Sequence, residues 1–489
     1  DFKPALYAYV LIPFIKIFGL TEFAVRLPSA LAGILAVYLI FKISNLIFEN
    51  SLKIVNCKLK IGEIAALLLA ISPWHLHYNR GAWEVNLSST LILLATYSLL
   101  LWFKNNSYKN IVICELGFVA SLYSYQSSRI FIPIFGLLIF IFYFKDFYAQ
   151  KIQVLKATLI LIIALIPIAY SLITSNAISR FSGVGFTSDI GPVNRINELR
   201  GHHSNSYEAI VAKLLHNRPV IYTIQFVTNY LYHFDGNFLF INGDTIERNR
   251  VPETGQFYLI DVLFLFIGII VLIRNSNKFT KIIWLWLFVA PVAASMTFQV
   301  PHALRSQLML YPIIIIISLG IYKFISHWSL EFENWKLFVS CGLVIVAYTF
   351  FFTNYLHQYF IHYKQIYPGS WQFGFSEMVS YVKANESRYQ RVVITDKYDQ
   401  PYILYLFYTK YSPAKFQKEH VLTPRDRFNF STVNKFNKFE FTSTPWTKVR
   451  DWHDTLIVAA PEDIPDVGVN IVKTIYYPNG APAFKIVSN

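Results

Sequence analysis

Apolar residues in this chain fall in long runs separated by short polar stretches. Runs bounded by charges lie near residues 26–48, 61–79, 85–103, 109–126, 129–144, 154–173, 257–273, 280–297, 304–324 and 336–356. Crossing a bilayer as α-helix takes roughly 20 residues, so the pattern predicts an α-helical polytopic membrane protein with about ten spans. Leu6 to Phe18 is apolar but short, holds Pro13 and Lys16, and reads as an interfacial or re-entrant helix. Residues 174–256 are polar and rich in Gly, Asn and His, too long for a simple connector. Within them an apolar piece around Pro219 to Leu231 is suited to lying along a membrane surface. After Tyr355 hydropathy falls. Arg391 to Thr395, Tyr402 to Tyr408, Thr455 to Ala459 and Phe484 to Val487 read as short strands, and Phe375 to Asn385 as a helix. This predicts a membrane domain over 1–356 and a small α/β domain over 357–489.

The loops carry an orientation signal. Lysines recur in every second one: Lys53, Lys58 and Lys60; Lys104 and Lys109; Lys145, Lys151 and Lys156; Lys278 and Lys281 with Arg274; Lys323 and Lys336. Cytoplasmic loops collect such charge. The alternate loops hold almost no lysine but present Arg26, Arg80, Arg129 and Arg305 at or beside helix ends. Residue 1, the 174–256 segment and the tail after 357 then share the extracytoplasmic side of a cell (inner) membrane.

Composition changes the picture little. Hydrophobic residues make up 54% and charged residues 15%, and the mean hydropathy of +0.40 is far from that of a soluble domain. The net charge of +14 would suit nucleic acid, but the basic residues are scattered through short loops and not gathered on one face, which argues against that partner. Cys57, Cys114 and Cys341 are far apart and have no metal spacing, so neither a disulfide framework, a metal site nor a cofactor is expected. The chain opens at Asp1 without an initiating Met or signal peptide, which reads as a fragment missing its N-terminus.

Candidate chemistry lies in the arginine-bearing loops. Arg grips a phosphate through forked hydrogen bonds and keeps its charge. Four outer arginines with Lys3 could converge on an anionic lipid head group, or each could anchor a helix end at the interface. In SPWHLHYNRGAWE, Glu84 suits a general acid or base, or a salt bridge to Arg80 four residues before it. His75 and His77, two apart, would face opposite sides of a helix, which disfavours a metal site. In YSYQSSR, Tyr123, Tyr125 and Gln126 can bond sugar hydroxyls while Arg129 holds phosphate; an interfacial aromatic belt is the alternative. In PHALR, His302 and Arg305 stand three apart at a predicted helix start, where both could address one anion. Asp235 and Asp244, in HFDGNFLFINGD, are acceptor-side candidates or local turn formers. Asp261 and Glu115 lack a partner that would define a proton relay.

The stretches DFKPALYAYVLIPFIKIFGLTEFAVRLPSALAG, SPWHLHYNRGAWEVNL, LYSYQSSRIFIP and PHALRS, in that order, resemble the dolichyl-phosphate-mannose protein mannosyltransferase-like family of bacterial membrane glycosyltransferases, which includes the lipid A aminoarabinose transferases. The resemblance covers nearly all of the membrane part. It implies a type-C glycosyltransferase bundle with an extracytoplasmic site that moves sugar, with inversion, from a polyprenyl-phosphate sugar lipid to an acceptor protein, lipid or glycan. It also implies that Lys3 of the KP motif lies near the donor phosphate, with Arg80, Arg129, His302 and Arg305 as further contacts. The family's catalytic aspartate lies upstream of that motif, so the general base is expected before residue 1, with Asp1 and Glu84 as substitutes within this chain. Two other readings fit the same sequence: a polyprenyl-linked glycan flippase or transporter, and a non-catalytic lipid-binding assembly protein. Charges clustered at one boundary, and the lack of a visible internal repeat, weigh against transport.

Overall fold

The computed structural model describes residues 3–49, 60–174, 185, 189–203, 206–331, 334–426 and 430–489. Asp1, Lys53, Cys57 and Lys58 lie outside the described residues. The chain divides into two compact units, Phe2–Leu356 and His357–Asn489.

The first unit is helical. Helices α1 (Leu6–Phe18), α2 (Glu22–Phe48), α3 (Ile61–Ile71), α4 (Pro73–Asn79), α5 (Glu84–Asn105), α6 (Tyr108–Leu122), α7 (Ser128–Phe142), α8 (Phe144–Ala149) and α9 (Lys151–Thr174) come first. Then follow α10 (Gly191–Gly201), α11 (Ser206–Leu215), α12 (Arg218–Tyr232), α13 (Asp261–Arg274), α14 (Thr280–Val289), α15 (Val292–Ser295), α16 (Leu310–Glu331) and α17 (Asn334–His357). Every predicted run holds a helix. Among the described residues five helices are long and apolar enough to cross a membrane, namely α2, α5, α9, and the apolar stretches that include most of α16 and α17. The other runs hold helices of 10 to 15 residues. Two of them are broken by proline: Pro73 ends the 61–79 run at Ile71 and restarts it as the first residue of α4, and Pro291 divides α14 from α15.

The long polar segment contains structure of its own. Asn217 caps α12 by accepting from Val220 N, and Pro219 sits in its first turn. Val220, Ile224, Val227 and Leu231 form an exposed stripe along α12, while Asn229 bonds the carbonyls of Ser295 and Thr297. One side of α12 is thus fixed to the bundle and another is left apolar, as for a helix at a membrane interface.

Hydrogen bonds identify the two ends of the bundle. At one end, Tyr7 bonds Val25 O, Ser124 bonds Glu84 O, and Trp74 bonds Ala303 O. At the other, Lys104 pairs with Glu49 and Lys278 with Asp146, joining lysine loops of the predicted cytoplasmic set. In between, α13 and α16 cross in backbone contact: a Cβ on Gly268 would lie 1.9 Å from Ile316 O, and one on Gly320 would lie 1.9 Å from Phe264 O. Small residues permit such approach where lipid supplies no hydrophobic drive between helices.

The second unit is a mixed seven-stranded sheet. Its strands are β1 (Arg391–Ile394), β2 (Val421–Leu422), β3 (Val433–Phe436), β4 (Phe439–Phe441), β5 (Thr455–Ala459), β6 (Ile471–Tyr476) and β7 (Pro482–Ser488), in the order β2-β3-β4-β1-β5-β7-β6. The central strand β1 runs parallel to β4 and β5, and the outer pairs are antiparallel. The helix Phe375–Asn385 packs Phe375, Met378 and Val382 against Val392, Ile394, Leu456 and Val458. Val449, Ile457, Ala459, Ile464 and Val487 form a second core cluster.

One predicted strand is corrected. Tyr402 to Tyr408 belongs to a helix, Pro401–Thr409. Pro401 presets its first turn, and Tyr402, Tyr405 and Leu406, spaced three and four apart, meet the core on one face. A short apolar run does not reveal its own period.

Replacing Gly268 or Gly320 with Val is expected to lower stability toward the upper end of the usual overpacking cost of about 1–3 kcal/mol, because the clash is with backbone and not with a movable side chain. Gly136→Ala is the control, since a Cβ there meets nothing within 4 Å. Thermal unfolding in detergent checks the contrast.

Candidate active site

The start of α1 is fastened to the α6–α7 corner by Leu6 N donating to Tyr123 O at 3.0 Å. The same corner holds the start of α5, because Ser124 Oγ donates to Glu84 O at 3.0 Å. On this frame Lys3 Nζ lies 3.2 Å from Glu84 Oε1; the Lys3 side chain is 65% exposed and that of Glu84 15%. Glu84 occupies the first turn of α5, where the helix dipole favours a carboxylate. The sequence also offered Arg80 as its partner. That spacing needs one continuous helix, whereas α4 ends at Asn79 and α5 begins at Glu84. In the intervening turn the Trp83 indole folds over Gly81, whose Cβ would lie 2.3 Å from Trp83 Nε1.

Beneath the ion pair, Ser88 Oγ lies 3.0 Å from Ser121 Oγ and 2.7 Å from Ser128 Oγ, joining α5 to both sides of the corner. Tyr123 spends its hydroxyl on Ala164 O of α9, at 2.7 Å. It therefore braces the corner through its donor. Arg129 Nε donates to Leu122 O at 3.3 Å, and Tyr125 and Gln126 are half-buried in the same turn.

Arg80 stands elsewhere. With Arg26, Glu22, His75 and Asn79 it rims a cavity of about 630 Å³ between α2 and α3–α4, with Leu27, Ile34, Val37 and Leu76 in its walls. Arg26 is paired with Glu22 at 3.1 Å. Lys3, Arg129 and Arg305 do not line this cavity.

The PHALR segment forms a turn, and the helix proper begins after it with Gln307–Met309 and α16. His302 is accordingly turned into the protein and does not stand beside Arg305 on a helix start. Its backbone N donates to His233 Nε2 at 3.4 Å, and its Nδ1 lies 3.6 Å from Asp244 Oδ2. Asp244 is fully buried. Its carboxylate accepts from Ile246 N at 2.8 Å, Asn249 Nδ2 at 3.0 Å and Ala303 N at 2.7 Å. It is not presented to an acceptor, whereas Asp235 is exposed. Arg305 Nη1 donates to Thr297 Oγ1 at 2.7 Å. Burial raises the Asp244 carboxyl above its ordinary range, although its hydrogen bonds and Arg305 oppose the shift. Burial, then the charges of Arg305, His233 and Arg248, holds His302 well below its ordinary value, and burial pushes His233 down to about 4.

The chain is thus a bundle of apolar helices followed by a small α/β unit, an architecture it shares with a known fold. Residues 2–173 match the family model described as Dolichyl-phosphate-mannose-protein mannosyltransferase. Among solved structures, the chain is similar to ArnT from Cupriavidus metallidurans bound to undecaprenyl phosphate, with a TM-score of 0.56 and 10% identity over 99% of this chain and 88% of that one. The apo state of the same protein gives a TM-score of 0.50 and 10% identity over 99% of this chain and 87% of that one. No curated protein matches by sequence. The resemblance carried by the motifs is thereby shown, and the protein is a membrane protein of this fold.

His233 and His302 are neutral when folded and bind a proton on unfolding below about pH 6.5. Stability is therefore expected to fall as pH drops from about 6.5 toward 4, the folded value of His233. Asp244 acts in the opposite sense, because its raised carboxyl takes a proton before the unfolded chain does. Unfolding midpoints measured across this range should fall less steeply for His233→Gln than for the parent.

Proposed function

We propose that this protein transfers a sugar from a polyprenyl-phosphate donor to an acceptor hydroxyl, with inversion, at the bundle end that carries Lys3 and Glu84. The observation that carries this reading is the Lys3–Glu84 pair, inside the stretch that matches the mannosyltransferase family model. The ammonium faces outward and is held from behind by a partly buried carboxylate, so a phosphate can approach it without first ordering a long flexible side chain. Glu84 is assigned a positioning role, since its carboxylate is engaged with Lys3. The general base that takes the acceptor proton is another carboxylate. Arg305 and Arg129, at the same end of the bundle, add positive charge toward the phosphate as it leaves, while Arg80 stands apart on the cavity between α2 and α3–α4. Asp235 is the exposed acceptor-side candidate.

The alternation of lysine-bearing loops supports an extracytoplasmic location for this end. Undecaprenyl phosphate in the ArnT structure supports the polyprenyl-phosphate class of donor.

Membranes containing the protein, given a radiolabelled polyprenyl-phosphate sugar, should produce a glycosylated acceptor of inverted anomeric configuration. Lys3→Ala should lower the transfer rate by about 10²–10³-fold, the usual cost of losing one preorganised group that stabilises transition-state charge, and Lys3→Arg should retain part of it. Unchanged rates in a Lys3→Ala, Arg80→Ala double variant would refute the site. Uptake of the lipid-linked sugar without covalent transfer would favour a flippase.

A further inference from the structure

The Pro301–Ser306 turn is held from several sides, although it is not part of a helix. A turn without a regular ladder must satisfy its backbone groups through neighbours. Here the peptides flanking Ala303 are clamped in both directions: Asp244 Oδ2 accepts from Ala303 N at 2.7 Å, and Trp74 Nε1 donates to Ala303 O at 3.1 Å. The preceding residue is held as well: His233 Nε2 accepts from His302 N, and Ser306 Oγ donates to His302 O at 2.8 Å. Two residues past the clamp stands Arg305, whose guanidinium rests on Thr297 Oγ1. Thr297 is in turn fixed by Asn229 Nδ2, which donates to its carbonyl at 3.2 Å.

A buried carboxylate is an expensive way to hold a turn unless both oxygens are needed. Both are used here. Oδ1 takes Ile246 N, fixing the 235–257 loop to itself, and Oδ2 takes Asn249 Nδ2 and Ala303 N, fixing that loop to the turn. An asparagine could serve only one of these sets and would aim a donor at the other. The loop is latched further to α4, because His77 Nε2 lies 2.8 Å from Arg248 O and Trp74 N donates to Gln256 O.

We propose that Asp244 is a positioning residue for Arg305, setting the backbone from which that guanidinium meets the lipid phosphate. This rests on the reading of Arg305 as a phosphate contact. Asp244 itself touches no substrate, since it is fully buried.

The test is a double-mutant cycle on the full chain in detergent, with undecaprenyl phosphate as the probe and its dissociation constant as the readout, alongside thermal unfolding. Asp244→Asn and Arg305→Ala should each weaken binding by about tenfold or more, the scale of one lost charged hydrogen bond. The double variant should bind no more weakly than Arg305→Ala alone. Additive losses would overturn the proposal, because a purely structural Asp244 would weaken the protein whether or not Arg305 is present. Wild-type affinity in Asp244→Asn would overturn it equally. Should Asp244→Asn fail to fold, Trp74→Phe, which removes the bond to Ala303 O, takes its place in the same cycle. If Arg305→Ala binds normally while Lys3→Ala does not, the positioning role fails and the Lys3 site stands. If both bind normally, the reading of the whole site fails.

Discussion

In a lipid environment a backbone carbonyl released from its helix can turn only to protein, and this constraint governs the organised end of the bundle. Its helices are interrupted there, and side chains from neighbouring elements take up many of the carbonyls involved. Tyr258 bonds Ile71 O at the end of α3, Trp74 bonds Ala303 O, Trp286 bonds Leu308 O, and Tyr7 bonds Val25 O. The donors are mostly aromatic, with an apolar body and one polar atom, so they reach a carbonyl without burying a charge. The candidate site is built on this stitching: Lys3 and Glu84 meet because Leu6 is bonded to Tyr123 and Ser124 to Glu84.

What the sequence revealed follows from the range of the forces involved. Hydropathy is a sum over many residues, so the apolar helical runs were legible, as was the helix Phe375–Asn385 to the residue, whereas α10 and α11 in the polar segment were not. The breaks at Pro73 and Pro291 had a local signal in the prolines themselves, although it did not show that α4 would become a separate element. The Tyr402–Tyr408 segment was misread because a run of that length satisfies either period, and the deciding contacts, with Phe441 and Phe439, come from a single later strand, β4. Strands β2, β3, β4 and β6 were missed. Three of them have four residues or fewer, β6 has the polar pair Lys473 and Thr474 in its middle, and all gain their identity from pairing.

The site was legible in its residue types and not in its partnerships. Loop charges identified one end of the bundle as cationic, and the structure places Lys3, Arg80, Arg129 and Arg305 there. It distributes them over separate settings, however: an ion pair with Glu84, a groove shared with Arg26, a corner carbonyl at Leu122, and a hydroxyl at Thr297. Sequence spacing favoured Arg80 for Glu84 and a helix start for His302, and both expectations assumed a continuous helix where the chain turns. Asp244 had a signal as a turn former in its Asn-Gly-Asp context. Its longer bond, to Ala303, spans 59 residues and has none.

The match to the family model stops at residue 173, yet Trp74, deep within that stretch, finds its acceptor at Ala303 and its ring neighbours at Phe238 and Phe257. The recognisable part of the chain is therefore not an autonomous module. Severed after α9, it would carry a stranded indole and an open seam where the later half should close over α4. The half after α9 must supply one carbonyl and a ring-lined pocket at that spot for α4 to be completed.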